Sequence, residues 1–381
     1  MRACGQKDVG MRAVVQLVGT AILSSTLAVL ACLSSRPWGC VATASEISLF
    51  GGKDMNGTAP CSRRDDSCTW RFLQYIPSEL EEKWQEIVDR VGSTPCEGVE
   101  ELEPFFIKYH SAIRLRRVVS DVPPAYGQCE CSASENPREY DSQVFSRFMY
   151  QNTCTNELKY SYIEPLAGPL RHPGVCIRPF VKHWDRFKFS KNWMVLDQWD
   201  VHKGMTQYSQ VYYFDAGAST WEKGLGGASQ AWFDTTYDSL CAPFDGYWMW
   251  EVTPTDAAKV FRVLPRHVKP KYRWYNIPAS PNRSDSDSPL FHVTQVAKPQ
   301  DYVVFKLDID NNPVEEAIVR ALLEDTVLLG LIDEFFWEHH IKMFPHTRSW
   351  HDKINENRTQ SQSIAMFRQL REAGVRAHSW V

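Results

Sequence analysis

The sequence predicts an α/β fold, a doubly wound and mainly parallel sheet with a Cys-rich N-terminal extension, and three observations predict it. From about residue 209 onward, short β-prone runs alternate with helix-compatible stretches, the pattern of strands joined by crossover helices. Four of those runs close on acidic residues, at Asp215, Glu251, Asp308 with Asp310, and Glu338, the strand ends where open α/β sheets bind ligands. Cysteine supplies the third. Setting aside Cys4, Cys32 and Cys40 in the leader, seven of the remaining eight fall before residue 177, and Cys241 alone lies beyond it. That bias points to a disulfide-stapled N-terminal region in an oxidising compartment. Zinc is the competitor, but Cys129-x-Cys131 lacks the usual two-residue spacing and no His cluster follows at ligand distance.

Taken in order, residues 1–44 read as a signal peptide or signal anchor. Arg2, Lys7 and Arg12 precede a 21-residue, largely apolar run from Ala13 to Leu33, and Ala42-Thr43-Ala44 offers a cleavage pattern. Uncleaved, the run is just long enough to span a bilayer. Either way the remainder enters the secretory pathway, to the lumen, a type II anchored state or secretion. Acceptor triplets for N-glycosylation at Asn56, Asn282 and Asn357 agree with that address.

Residues 45–208 form the Cys-rich region, expected to pack on the sheet. Residues 46–70 read as irregular. Residues 78–92 read as a helix with Leu80, Trp84, Ile87 and Val88 on one face, Ser78 and Glu81 as a capping box, and Gly92 as the stop. Residues 121–139 read as loop, and 140–210 as short aromatic segments between turns, with Arg171 and His172 in a loop that either packs on the sheet, the favoured reading, or lends them to an acceptor site.

Residues 209–381 form the α/β domain. Strands are expected at 211–214, 247–250, 272–277, 302–307 and 334–338, with a terminal strand at 375–381. Helices are expected near 230–240, around 260, from Pro313 onward as one long element, and at 362–373 before a stop at Gly374. Hydrophobic residues at 43% suit a chain with a real core, and the formal charge of −4 argues against a nucleic-acid partner.

Four motifs carry chemistry. Asp215-Ala-Gly217-Ala218-Ser219 is a small-residue turn after a strand, which lets backbone come close to a cofactor; an ordinary strand-to-loop turn is the plain alternative. Glu251 stands at the end of the next strand, where a carboxylate accepts hydrogen bonds from ribose hydroxyls. Its distance of thirty-six residues from Asp215 exceeds the usual ~20, an excess the Gly-rich 222–229 stretch accounts for. Lys306-x-Asp308-x-Asp310 places two carboxylates at a strand end, able to hold a cation, touch a substrate, or pair with Lys306 on the same side of the pleat. Glu338-His339-His340 brings imidazoles, natural bases near neutral pH, to the same edge.

The order FDAGAS, WEVTP, WYNIPAS, DYVVFKLDID, FFWEHH resembles the FkbM-type methyltransferases over about residues 209–381. The resemblance implies a Rossmann-like fold of the class I methyltransferase type with S-adenosylmethionine as cofactor. It implies that Asp215, Gly217, Ala218 and Ser219 line the cofactor, that Glu251 holds its ribose, and that Asn276 and Ile277 flank the adenine. Asp308, Glu338 and His340 would face the acceptor as the catalytic group, without a metal. The family's K-x-D-x-E-G becomes Lys306-x-Asp308-x-Asp310-Asn311 here, without the glycine. The expected function is O-methyl transfer to a hydroxyl-bearing acceptor, plausibly carbohydrate, with a membrane touched only through the N-terminal anchor. Two alternatives stay open: a metal-dependent glycosyltransferase using Asp308 and Asp310, and a non-catalytic secreted binding protein on a degenerate scaffold.

Overall fold

A computed structural model describes residues 69–91, 99–120, 140–167, 191, 193–196, 209–223, 228–240, 242–341 and 358–380. The leader, the glycosylation triplet at Asn56, the acceptor Asn357, Arg171, His172, Gly92 and all expected disulfide cysteines except Cys154 lie outside those residues. Cys154 is disulfide-bonded. No described helix is long and apolar enough to cross a membrane.

The α/β domain is built on six parallel strands: β4 (Val211–Ala216), β5 (Gly246–Trp250), β6 (Tyr272–Tyr275), β7 (Tyr302–Leu307), β8 (Glu334–Trp337) and β9 (Arg376–Ser379). They lie in the order β6-β5-β4-β7-β8-β9, and every neighbouring pair is parallel. This is the Rossmann-like, doubly wound order, reversing direction between β4 and β7. The strands other than β9 are rich in aromatic and β-branched residues, and β5, β7, β8 and β9 are buried at every residue, as expected for parallel strands covered on both faces. Helices α3 (Ser229–Ser239), α4 (Ala257–Val263), α5 (Pro289–Val296), α6 (Asn312–Leu323), α7 (Thr326–Leu331) and α8 (Gln360–Glu372) make the crossovers.

The caps explain where these helices start. Asp256 accepts from the Ala258 N–H in α4, and Asn311 with Pro313 opens α6. The single long helix expected after Pro313 is instead two, because the Asp325 carboxylate accepts from Val327 and Leu328 N–H and starts α7 afresh. Thr359 and Gln362 close a full capping box on α8, and Gly374, at φ +95°, ends it.

The N-terminal region is more regular than its sequence suggests. β1 (Trp70–Ile76), β2 (Ser146–Asn152) and β3 (Leu158–Ile163) form an antiparallel sheet, and α1 (Glu79–Val91) and α2 (Glu103–Ser120) accompany it. Ser78 caps α1 as expected, its Oγ accepting from the Glu81 N–H at 3.2 Å. The capping box is not completed. The Ser78 N–H donates to Ser146 Oγ, while the buried Glu81 carboxylate accepts from Tyr75 Oη, Ser146 Oγ and the Leu166 N–H. Leu80, Trp84, Ile87 and Val88 of α1 share one hydrophobic core with the parallel sheet.

Candidate functional site

The carboxyl ends of the six strands gather the predicted residues into two groups joined by one lysine. The first group stands over β4, β5 and β6. After β4 the chain turns at Gly217, at φ +86°, and the Gly217 and Ala218 N–H groups donate to Trp250 O at 3.0 and 2.9 Å. The glycine is required by a contact within the protein. A Cβ at position 217 would lie 1.6 Å from the Asp308 carbonyl oxygen, so the turn presses against the end of β7. Ala218 is buried, its carbonyl accepting from Gln230 Nε2. Ser219, at φ +53°, directs its N–H to Glu251 Oε2 at 2.8 Å. Glu251 Oε1 accepts from the Thr253 N–H at 2.7 Å, so the strand-end acid ties two loops together.

Asn276 braces that arrangement. Its Nδ2 donates to the carbonyls of Glu251 and Thr253, and its Oδ1 accepts from the Thr255 N–H. Ile277 is half-buried against the core. Beside them Trp250 stacks on Tyr275 at 4.8 Å between ring centroids, with His292 against both rings. Trp221, buried and edge-on to Tyr247, sits just beyond the β4 turn.

Lys306 is the joint. Buried to 1% exposure, its Nζ reaches Asp215 Oδ1 and Asp308 Oδ2, each at 3.0 Å, and Gly217 O at 3.3 Å. Burial disfavours its charge, but the two carboxylates outweigh that and hold its pKa above the ordinary lysine value. Asp215 is fully buried and its other oxygen accepts from Tyr213 Oη at 2.6 Å. Burial and the adjoining carboxylate drive the Tyr213 pKa well up. Asp215 thus lies beneath the edge as a counter-ion.

The second group stands over β7 and β8. Asp308, besides Lys306, is hydrogen-bonded to Glu338; burial first, then Glu338, pushes its pKa well above the carboxylate range. One of these two acids therefore carries the proton they share. His340 Nε2 lies 3.4 Å from Glu338 Oε2 and 3.7 Å from Asp310 Oδ1. Burial opposes its ionisation, while Glu338, Glu315 and Asp310 together raise its pKa above the ordinary histidine value. His339 faces elsewhere. It stacks on Trp337, contacts Ser363 Oγ and Glu316, and burial lowers its pKa to about 4.

Two residues absent from the sequence reading shape this group. Glu315 of α6 is fully buried; its Oε1 accepts from the Ile309 and Asn311 N–H groups and its Oε2 from Trp337 Nε1. Burial raises its pKa to about 7. Asn312 pairs with the backbone of His340, donating to its carbonyl at 2.6 Å and accepting from its N–H at 3.2 Å. A glutamate in the first turn of a helix is ordinary surface composition, and nothing in the sequence singles it out.

Comparison with family models, curated proteins and solved structures finds no match to this chain. The fold by itself defines the class: a Rossmann-like α/β protein with an antiparallel N-terminal sheet, whose polar residues converge at the carboxyl edge of the parallel sheet. That class hosts many activities.

Proposed function

We propose that the protein is an S-adenosylmethionine-dependent O-methyltransferase of the secretory pathway, acting on a hydroxyl of a glycan or glycoconjugate. The observation that carries the reading is the 2.8 Å bond from the Ser219 N–H to Glu251, which links the turn after the first strand to the acid ending the second. In this fold those two positions hold a nucleoside. Each Glu251 oxygen accepts one backbone N–H, and a carboxylate has capacity for about four hydrogen bonds, so room remains for ribose hydroxyls. Ser219 and Glu251 fit the cofactor; Asp215, fully buried, and Asn276, whose amide is bonded to backbone groups on both sides, support the site without reaching outward.

Bound there, the cofactor supplies an electrophilic methyl group. The protein's own part is to hold an acceptor hydroxyl in line with it, since alignment contributes much of such catalysis. Asp308, Glu338 and His340 stand at the neighbouring strand ends to receive the proton. His340, flanked by Glu338 and Asp310, is the base in this reading, and the proton shared by Asp308 and Glu338 keeps that pair from adding a second full charge.

A glycosyltransferase reading is weakened by Asp308, whose carboxylate is taken by Lys306 instead of converging on a cation with Asp310. A non-catalytic scaffold is favoured by one feature, the closure of Asp215 by Tyr213 and Lys306. Calorimetry on the purified chain with S-adenosylmethionine and its demethylated product separates the readings. Micromolar binding, weakened about tenfold or more in Glu251→Ala through loss of charge-assisted hydrogen bonds, supports methyl transfer. Absence of binding to a folded chain leaves the scaffold reading in its place.

A further inference from the structure

The end of β8 and the loop after β7 bring Asp310 together with Glu338 and His340, two residues that the methyltransferase reading uses only as proton acceptors. Asp310, Glu338 and His340 each present one ligand atom, and these atoms all lie within 4.8 Å of one another. Two of the separations, 3.4 and 3.7 Å from His340 Nε2, match the edge of a coordination tetrahedron. Metal–ligand bonds of about 2.1 Å give an edge of ~3.4 Å. One imidazole nitrogen and two carboxylate oxygens are a donor set for first-row divalent cations, with further positions left for water or a substrate oxygen.

The scaffold holds these donors ready. Asp310 sits at φ +58°, and the amides on either side of it, Ile309 and Asn311, both donate to Glu315 Oε1. His340 is clamped through its backbone by Asn312. Anchoring of this kind is what orients metal ligands. Charge points the same way. Among the described residues, Asp308, Asp310, Glu315 and Glu338 meet His340 and Lys306, and the lysine is shared with Asp215. The buried ion cluster at the junction of the two sheets has no such excess, with Glu81, Glu164 and Glu334 set against Arg368, Arg371, Arg376 and His378. Even with one proton shared by Asp308 and Glu338, acids outnumber basic groups at this edge of the sheet, an excess that a cation would neutralise.

We propose that Asp310, Glu338 and His340 bind a divalent first-row cation at the carboxyl edge of β7 and β8. The site stands whether or not the transferred group is methyl. If the methyltransferase reading holds, the cation would draw the acceptor hydroxyl to the edge and make it more acidic, and with His340 Nε2 engaged as a ligand that acidification would take the place of its role as a free base.

The test uses the full-length chain, stripped with chelator and dialysed against Mn2+ or Zn2+, with metal counted per chain. One ion per chain is expected, with affinity reduced tenfold or more in Asp310→Asn, Glu338→Gln and His340→Gln. Asp285→Asn, in a separate exposed acidic loop, should leave it unchanged. Asp310 is exposed, so its variant keeps the fold and decides the matter if the two more buried ones do not. No uptake by a chain with an intact far-ultraviolet circular dichroism spectrum overturns the site, as does uptake indifferent to all three substitutions. S-adenosylmethionine binding measured on the same samples keeps the two proposals separate, since either can fail while the other survives.

Discussion

At the scale of single residues, the junction of β4 and β7 is held by both charge and space. Lys306 takes a charge into the core, and two carboxylates and a carbonyl satisfy it there. Removing one partner of such a set typically costs more than the set contributes over an apolar core, because a buried charge is left uncompensated. Gly217 is bound to the same junction by space. Alanine at that position would combine a positive φ with a Cβ driven into the Asp308 carbonyl, and the obstacle is backbone, which cannot rotate away. Gly217→Ala is therefore expected to lose at least ~2 kcal/mol, read as a lower urea midpoint at unchanged slope. A loss below about 0.5 kcal/mol would show that the turn relaxes freely. The prediction also separates two uses of glycine: here it permits contact between strands, whatever a ligand then does.

At the scale of elements, the caps can be tested one at a time. The Thr359–Gln362 box satisfies the first turn of α8, which carries Arg368 to Glu81 of α1 and Arg371 to Tyr75 of β1. Thr359→Ala should cost about 1 kcal/mol. Thr359 is also the hydroxyl of a glycosylation triplet, so Asn357→Gln is the control that removes the triplet and spares the cap. Equal stability of the two variants would refute the cap's contribution. Elements of this kind were largely legible beforehand. β4, β5, β7 and β8 announce themselves as apolar runs closed by acids, and α8 by its stop at Gly374. β1, β2 and β3 did not, because an antiparallel sheet partly open to solvent alternates, as in the Ser146–Asn152 run, and carries no turn dipeptide to mark it. Nor did the break at Asp325, where a cap signal lay inside a continuous apolar pattern. The candidate site divided in the same way. Glu251, Asp308, Glu338 and His340 are strand-end residues, and sequence order finds strand ends. Glu315 and Asn312 act from a helix whose inward face depends on tertiary packing.

At the scale of the whole molecule, the N-terminal sheet and the parallel sheet are joined by buried charge, and that makes the junction sensitive to pH. His378 of β9 lies between Glu164 Oε1 at 2.7 Å and Glu334 Oε1 at 3.0 Å, so both its ring nitrogens meet carboxylates. Arg371 reaches Glu164 and Tyr75, and Arg376 reaches Ser161 and the carbonyls of Tyr162 and Val195. Burial opposes ionisation of His378, but the two glutamates outweigh it and raise its pKa above the ordinary histidine value. Burial likewise works against the Glu164 carboxylate, and His378, Arg371 and the Val195 N–H bring its pKa down to about 2. The signs follow by linkage. His378, raised on folding, stabilises fully below its unfolded value of about 6.5, and that contribution is lost as pH rises through the folded value. Glu164, depressed on folding, stabilises above 4.5 and loses its contribution as pH falls toward about 2. Two groups near the strand ends have opposite slopes between those limits. Glu315, raised to about 7, loses stabilisation as pH rises from 4.5, while His339, lowered to about 4, gains it toward 6.5. The urea midpoint is therefore expected to fall below about pH 4.5 and again above about pH 6.5, with Asp308, also raised on folding, adding to the decline as pH rises. In His378→Gln the midpoint should be lower throughout the acid and neutral range, and the alkaline decline attributable to the imidazolium should disappear. A wild-type midpoint that climbs between pH 6.5 and 9 would mean that His378 is neutral in the folded protein and that the two sheets are held together by the arginines alone.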